Sequence, residues 1–234
     1  MALLVERVVA PHFATNCWVV SRGQGQECLL VDPGIGDATF MAEVSKVVNE
    51  NQLRVGAILV THGHLDHTFS IASVIEDFMV RDLLIHEDDR DLLEFPERGM
   101  GPHGLALMAQ LAPVLPYRSS HQFQGLMTVT QDRSITLGDL SIDIKHTPGH
   151  TPGSICAVIE DELLISGDTL FAGSIGRTDL PRGSISEIST SLREKLAPLP
   201  EYLRILPGHG PESRMEQELK SNPYLRAAIA GDLA

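Results

Sequence analysis

The 234-residue sequence predicts an α/β fold. Short apolar runs such as GAILV (56–60) alternate with segments of helical periodicity, and glycine and proline mark their ends. In four places, side chains of the metal-ligand type follow directly after an apolar run. Loops at the carboxyl ends of strands are where α/β scaffolds assemble sites, because the strands fix the ends of the loops. We therefore expect these four loops to meet.

The first half of the chain is predicted to begin with antiparallel strands. The segments VERVVA, CWVVSR and ECLLVDPG are strand-like and separated by turns, and the third ends at Asp32. From Ala38 to Leu53 the apolar spacing is helical, and GAILV follows as a buried strand. Residues 71–79 predict another helix, and residues 82–87 predict a short strand.

Residues 88–125 carry weaker patterns. Prolines and glycines interrupt them, and only residues 105–111 have the spacing of a helix. We interpret the segment as an insertion or lid at the entrance of the site. With a short helical tail from about residue 212, it is expected to complete one domain over residues 1–234.

The second half is predicted to contain two β-hairpins. Gly138-Asp139 is a hairpin turn between two alternating strands, and Asp161 lies between a second pair. A helix at 186–196 precedes the strand YLRILPG, and Asn222-Pro223 is expected to break the tail.

Composition narrows the classes of function. Eighteen basic against thirty-one acidic side chains give a net charge of −13. Nucleic acid is not an expected partner, because basic groups supply most of the affinity for phosphate backbones. No apolar run approaches the length of a membrane span and no export signal is visible, so we expect a cytoplasmic protein without a membrane partner. The composition leaves the oligomeric state open.

The densest group of candidate ligands lies in THGHLDH, residues 61–67. His62 and His64 are two residues apart, so both can reach one metal while the chain is extended. Asp66 and His67 can serve a second metal once the chain turns into a helix. Four such side chains after a buried strand would cost desolvation free energy without a metal to offset it.

Three later loops add further candidates. His150 in HTPGH and His209 in PGHG are flanked by prolines and glycines that restrict the direction of the ligand. Asp168 follows Gly167 at the end of a strand, and a carboxylate can bridge two cations with its two oxygens. Imidazole, carboxylate and water together suit zinc, iron or manganese.

Two residues are expected to support the ligands without binding metal. His146 lies four residues before His150 on the same loop, and Asp32 ends a strand near the same edge. The other histidines are interpreted as ordinary loop or structural residues: His12, His86, His103 and His121.

The order of these candidates resembles the pattern of the metallo-β-lactamase superfamily, in which HxHxDH precedes a lone histidine, a bridging aspartate and a last histidine. The resemblance implies a four-layer αββα sandwich with the site at one edge. It also implies two divalent metal ions, with zinc favoured and iron or manganese as alternatives. The implied ligands are His62, His64 and His150 for one ion, and Asp66, His67 and His209 for the other, with Asp168 shared.

Longer segments, including HTPGHTPGS and SGDTLFAGSIGRTDLPRG, look like glyoxalase II, the hydroxyacylglutathione hydrolases. This implies hydrolysis of a small-molecule thioester such as S-lactoylglutathione, with Asp66 and Asp168 as catalytic residues. Arg177 matches the basic position that contacts the glutathione carboxylate in that family. Thr178 and Asp179 stand where glyoxalase II has aromatic residues.

Other functions fit the same ligands. The GRTD sequence also resembles persulfide dioxygenases, which hold a single iron at the equivalents of His62, His150 and Asp168. A lactonase or another ester hydrolase could use the same metal pair. A metal-binding regulatory module could keep the ligands without turnover.

Overall fold

The computed structural model describes residues 2–113 and 115–234. Met1 and Val114, which belong to the expected domain and its insertion, lie outside the described residues. Two six-stranded sheets carry the fold. The first contains Leu4–Val9 (β1), Asn16–Ser21 (β2), Glu27–Val31 (β3), Arg54–Leu59 (β4), Asp82–His86 (β5) and Leu126–Val129 (β6). The second contains Arg133–Leu137 (β7), Leu140–His146 (β8), Ile155–Ile159 (β9), Leu163–Gly167 (β10), Arg204–Pro207 (β11) and Ser213–Arg214 (β12).

The strands run in sequence order across each sheet. In the first, β1, β2 and β3 are antiparallel, and β3 to β6 are parallel. In the second, β7 to β10 are antiparallel, β10 and β11 are parallel, and β12 pairs with β11. Parallel pairing places the carboxyl ends of β3 and β4 side by side in the first sheet, and those of β10 and β11 side by side in the second. The candidate residues lie at these strand ends and in the loops that follow them.

Helices cover the outer faces of both sheets. The α-helices are Ala38–Glu50 (α1), Leu65–Thr68 (α2), Ile71–Phe78 (α3), Gly104–Leu111 (α4), Ile185–Ser191 (α5), Met215–Ser221 (α6) and Pro223–Ala230 (α7). Between β5 and α4 lie the 3-10 helices Glu87–Leu93, Pro96–Gly99 and Gly101–His103, and a π-helical turn, Leu192–Leu196, continues α5. No helix among the described residues is long and apolar enough to span a bilayer.

The apolar side chains on the two faces of each sheet belong to different hydrophobic clusters. Leu29 of β3 packs between the two sheets with Ile142 and Ile165, whereas its neighbour Leu30 packs on the opposite face with Phe40 of α1. Successive side chains of a strand point to opposite faces, so a strand buried on both sides contributes to two cores. A third cluster joins the second sheet to α5, α6 and α7. The order helix, sheet, sheet, helix confirms the predicted αββα sandwich.

Side-chain hydrogen bonds define where α1 and α7 begin. Asp37 accepts hydrogen bonds from the backbone N–H groups of Thr39 and Phe40 and begins α1. Asn222 caps α7 through its side chain, and Pro223 occupies the first helical position. The predicted break at Asn222-Pro223 therefore separates α6 from α7.

Candidate metal centre

The structure brings all seven predicted ligand residues to one edge of the sandwich. The loop after β4 carries His62 and His64 and leads into α2, which presents Asp66 and His67. The loops after β8, β10 and β11 carry the remaining three: His150, Asp168 and His209.

Three imidazole nitrogens form a compact triangle, which we call the three-histidine set. His62 Nε2 lies 3.1 Å from His64 Nδ1, His64 Nδ1 lies 2.9 Å from His150 Nε2, and His150 Nε2 lies 3.1 Å from His62 Nε2. All three side chains are buried. Nitrogens at this separation can share one cation at about 2.0–2.1 Å from each of them.

Hydrogen bonds on the far side of the rings hold two of these nitrogens with their lone pairs facing the triangle. Thr61 donates its hydroxyl hydrogen to Asp32 Oδ2 at 2.6 Å, so its oxygen can accept from His62 Nδ1 at 3.1 Å. His150 Nδ1 donates to the backbone carbonyl of Arg177 at 2.7 Å. Partners of this kind fix the tautomer of a histidine and the direction of its free nitrogen.

A second group, the acid-histidine set, contains Asp66, His67 and His209. His209 Nε2 lies 3.2 Å from Asp66 Oδ2 and 3.2 Å from His67 Nε2, and His67 Nε2 lies 3.6 Å from Asp66 Oδ2. On its other side, His67 Nδ1 is 2.9 Å from Asp32 Oδ2. Asp32 therefore contacts His67 directly and reaches His62 through Thr61.

Asp168 lies between the two sets. Its Oδ2 is 3.6 Å from His150 Nε2 and 3.5 Å from His209 Nε2, while its Oδ1 is 3.5 Å from His67 Nε2. Oδ1 is buried and has no hydrogen-bond partner among the described residues. An unsatisfied buried carboxylate oxygen is costly. Two divalent cations would satisfy it, so this donor set fits the metals that the sequence implies.

Protonation differs between the two sets in the metal-free protein. Burial and the neighbouring histidines lower the pKa of His62 well below its ordinary value, and burial followed by His150 lowers the pKa of His64 to about 3. Burial alone would also lower the pKa of His67, but Asp168, Asp66 and Asp32 together raise it to about 10. A cation entering the acid-histidine set must therefore displace a proton from His67, whereas His62 and His64 are already neutral.

Arg177 lies at the cavity, but its guanidinium is paired within its own loop. Its Nε and Nη2 donate to the two carboxylate oxygens of Asp179, both at 2.7 Å. The side-chain hydrogen bond from Arg177 lowers the pKa of Asp179 to about 2, so the pair persists at neutral pH. Both side chains are largely exposed, and an exposed ion pair contributes little to stability. A carboxylate ligand can therefore compete with Asp179 for Arg177.

His146 does not contact the candidate ligands directly. Its Nε2 donates to the carbonyl of Pro152 at 2.8 Å, across the loop that carries His150. Its ring stacks on the ring of His86 with centroids 3.9 Å apart. His86 is buried at the end of β5 and accepts a hydrogen bond from the backbone N–H of Asp88, while its Nε2 has no hydrogen-bond partner among the described residues.

Of the other histidines interpreted as loop residues, His103 lines the cavity above the ligands, whereas His12 and His121 do not. This cavity has a volume of about 440 Å³. Besides the ligands, its walls are mostly apolar and include Phe13, Met100, Phe171 and Leu180.

Two residues that support the ligand loops were not predicted from the sequence. Thr61 links Asp32 to His62, and its position directly before HGHLDH was the available signal. Asp89 is completely buried and accepts hydrogen bonds from two of the ligand loops. In the sequence it belongs to the charged segment 87–91, with four acidic residues and Arg90, which has the composition of a solvated surface.

Comparisons with known proteins find relatives along nearly the whole chain. The family model described as Metallo-beta-lactamase superfamily matches residues 10–209 of the sequence. The chain is 32% identical over 225 residues to Hydroxyacylglutathione hydrolase GloC of Haemophilus influenzae, covering 95% of this chain and 98% of that relative.

Solved structures of similar proteins cover nearly the whole chain. The BLEG-1 B3 metallo-beta-lactamase is 31% identical, has a TM-score of 0.77, and covers 95% of this chain and 99% of its own. The protein TTHA1623, solved in a di-iron-bound form, is 28% identical, has a TM-score of 0.73, and covers 94% of this chain and 99% of its own.

Proposed function

Because this chain belongs to the metallo-beta-lactamase superfamily, whose members are generally hydrolytic metalloenzymes, we propose that it is a two-metal hydrolase of small-molecule thioesters. The observation that carries the proposal is that two clusters of ligand-type side chains lie below one cavity, with Asp168 within 3.6 Å of histidines in both. The Haemophilus relative, named a hydroxyacylglutathione hydrolase, supports a thioester of the S-lactoylglutathione type.

The donor atoms favour two zinc ions, and they also suit iron or manganese. The di-iron form of the similar structure supports iron as an alternative for this chain. When bound, such a pair supplies a hydroxide nucleophile at neutral pH and stabilises the charge that develops on the carbonyl oxygen. The contribution of the chain is to hold the ligands and to orient the substrate.

Asp66 is well placed to orient the attacking water. Its side chain lines the cavity and accepts a hydrogen bond from the Thr15 hydroxyl at 3.3 Å. Burial would raise the pKa of Asp66, but the neighbouring His67 and His209 lower it below its ordinary value. Asp66 is therefore ionised at neutral pH and can orient the attacking water by accepting a hydrogen bond from it.

The cavity suggests how a thioester is oriented. The apolar walls formed by Phe13, Met100, Phe171 and Leu180 can exclude water from the reacting carbonyl. Arg177 at the same cavity can bind a carboxylate of the thiol carrier if that carboxylate displaces Asp179. Small-molecule thioesters therefore fit better than nucleic acid, which the net charge of −13 would repel.

The proposal is tested by counting metal ions per chain and measuring hydrolysis of S-lactoylglutathione with the same preparation. Two zinc ions and hydrolysis are expected, with activity lost on chelation and restored by zinc. One iron with oxygen uptake on a persulfide would instead indicate a dioxygenase. Turnover of a lactone or β-lactam alone would change the substrate class, and bound metal without turnover of any of these would favour a regulatory module.

Substitutions at Arg177 and Asp179 are expected to change KM in opposite directions. Arg177→Ala should raise KM for S-lactoylglutathione by about 10-fold with little change in kcat, because it removes a contact remote from the reacting bond. Asp179→Asn should lower KM, because it removes the internal competitor for Arg177. The backbone carbonyl that orients His150 remains in the Arg177 variant.

A thioester whose thiol carrier lacks a carboxylate is the matched control for both variants. Its KM should change by less than about 2-fold in either variant, because no carboxylate of the carrier competes with Asp179. If Arg177→Ala raised KM equally for both substrates, the carboxylate contact would be refuted.

A further inference from the structure

Asp89 ties together two loops that carry ligands of the three-histidine set. Its Oδ2 accepts from the backbone N–H of Gly63 at 2.8 Å and from the Thr151 hydroxyl at 2.6 Å. Its Oδ1 accepts from the backbone N–H of Gly153 at 2.9 Å. Gly63 separates His62 from His64, and Thr151 follows His150 directly. One carboxylate thus fixes the backbone beside all three imidazoles without touching any of them.

The packing around Asp89 leaves little space for these loops to move. A Cβ at Gly153 would lie 2.5 Å from Asp89 Cγ, and a Cβ at Gly63 would lie 2.9 Å from the Asp89 carbonyl oxygen. Both positions require glycine because the 3-10 helix Glu87–Leu93 packs directly against the two loops. Asp89 itself is 0% exposed, so water cannot replace a lost acceptor without opening the packing.

The acid-histidine set depends on a different carboxylate. His67 is held by Asp32, while Asp89 makes no hydrogen bond to α2 or to the loops that carry Asp168 and His209 among the described residues. Asp32 thus contacts the acid-histidine set directly and the three-histidine set only through Thr61, whereas Asp89, within the described part of the chain, contacts only loops of the three-histidine set. This separation predicts that the loss of one aspartate acts unequally on the two sets.

We propose that Asp89 is a positioning residue that sets the affinity of the three-histidine set for its cation. Asparagine at this position keeps the shape of the side chain but has one acceptor oxygen instead of two. Its NH₂ group would face at least one of the three donors, so one loop must shift. Residues that support metal ligands in this way typically change metal affinity by 10-fold to 100-fold. The inference rests on the proposed metal assignment and is independent of the substrate.

The test compares cobalt binding in two backgrounds that each disable one set. His209→Ala keeps the three-histidine set, and His150→Ala keeps the acid-histidine set. In the first background, Asp89→Asn should raise the cobalt dissociation constant by about 10-fold to 100-fold and shift the visible cobalt spectrum. In the second, it should change the constant by less than about 3-fold. Dissociation constants come from competition with a chromophoric chelator.

Asp91→Asn is the matched control, because Asp91 lies on the same 3-10 helix with its side chain partly exposed and paired with Arg98 and Arg182. It should leave both backgrounds within about 3-fold of their parents, since it contacts neither ligand loop. Equal weakening in both backgrounds, or no weakening in the first, would overturn the role of Asp89. Absence of cobalt binding in both parents would overturn the metal assignment as well.

A milder variant decides the question if Asp89→Asn does not fold. Thr151→Val removes one donor to Asp89 and keeps the carboxylate with its two backbone contacts. It should weaken cobalt binding in the His209→Ala background by about 3-fold to 10-fold and leave the other background unchanged. No selective loss in this variant would also overturn the inference.

Discussion

Replacing Asp168 by asparagine is expected to remove at least one of the two proposed metal ions and to lower kcat by about 1,000-fold. Asp168 has Oδ2 within 3.6 Å of His150 Nε2 and Oδ1 within 3.5 Å of His67 Nε2. Asparagine keeps one oxygen and replaces the other with an NH₂ group, which cannot bind a cation. The two ions then lose their common ligand and the charge that offsets their repulsion.

Elemental analysis gives the metal content of the Asp168 variant, and steady-state kinetics with S-lactoylglutathione gives its kcat. Asp77→Asn, an exposed aspartate on α3, should keep two ions and full activity. Two ions retained at unchanged affinity in the Asp168 variant would contradict the bridging position. The fold is expected to persist, because the Asp168 oxygen Oδ1 makes no hydrogen bond that the substitution could break.

The convergence of the seven candidate ligands could be predicted because each follows an apolar strand. Asp168 and His209 follow β10 and β11, which are parallel neighbours in the second sheet, and His62 follows β4 of the first sheet, which packs against the second. The spacing of His62 and His64 also predicted a shared set, and their nitrogens lie 3.1 Å apart. These inferences needed only local periodicity and the general rule that α/β folds assemble sites in loops at the carboxyl ends of strands.

The supporting residues could not be predicted because their roles depend on burial and on partners distant in sequence. Asp89 lies 62 residues from Thr151, and its acidic neighbours make it look like part of a solvated surface. The guanidinium of Arg177 is occupied by Asp179, only two residues away, yet nothing in GRTD distinguishes that pair from two free side chains. Local patterns contain no information about which polar group is buried against which loop.

The tail after residue 212 also makes contacts near the cavity that its sequence does not predict. Glu218 of α6 is buried and accepts a hydrogen bond from the backbone N–H of Gly173 at 2.8 Å. Asn222 donates to the backbone carbonyls of Phe171 and Ser174. The tail therefore holds the loop that presents Phe171 to the cavity, although its sequence reads only as two short helices.

Replacing Asp32 by asparagine is expected to weaken the acid-histidine set most strongly. Asp32 Oδ1 accepts from the backbone N–H of Thr61 at 2.8 Å, while Oδ2 accepts from both the Thr61 hydroxyl and His67 Nδ1. The side-chain oxygen of asparagine can still accept from the backbone N–H of Thr61. Its NH₂ group, however, would face the Thr61 hydroxyl and His67 Nδ1, which are both donors. Leaving buried donors without acceptors costs about 1–3 kcal/mol each, so a lower unfolding temperature is also expected.

The effects on the two metal sets should differ because Asp32 contacts His67 directly and His62 only through Thr61. We expect the cobalt dissociation constant to rise by about 100-fold in the His150→Ala background and by about 10-fold in the His209→Ala background. Asp37→Asn, a substitution at the half-buried N-cap of α1, should change neither constant. Asparagine also tolerates the left-handed backbone at residue 32, where φ is 50°, so backbone strain does not confuse the comparison. Asp89→Asn should have the reverse selectivity and weaken the three-histidine set more than the acid-histidine set. If each variant instead weakened cobalt binding equally in both backgrounds, the two aspartates would stabilise only the fold.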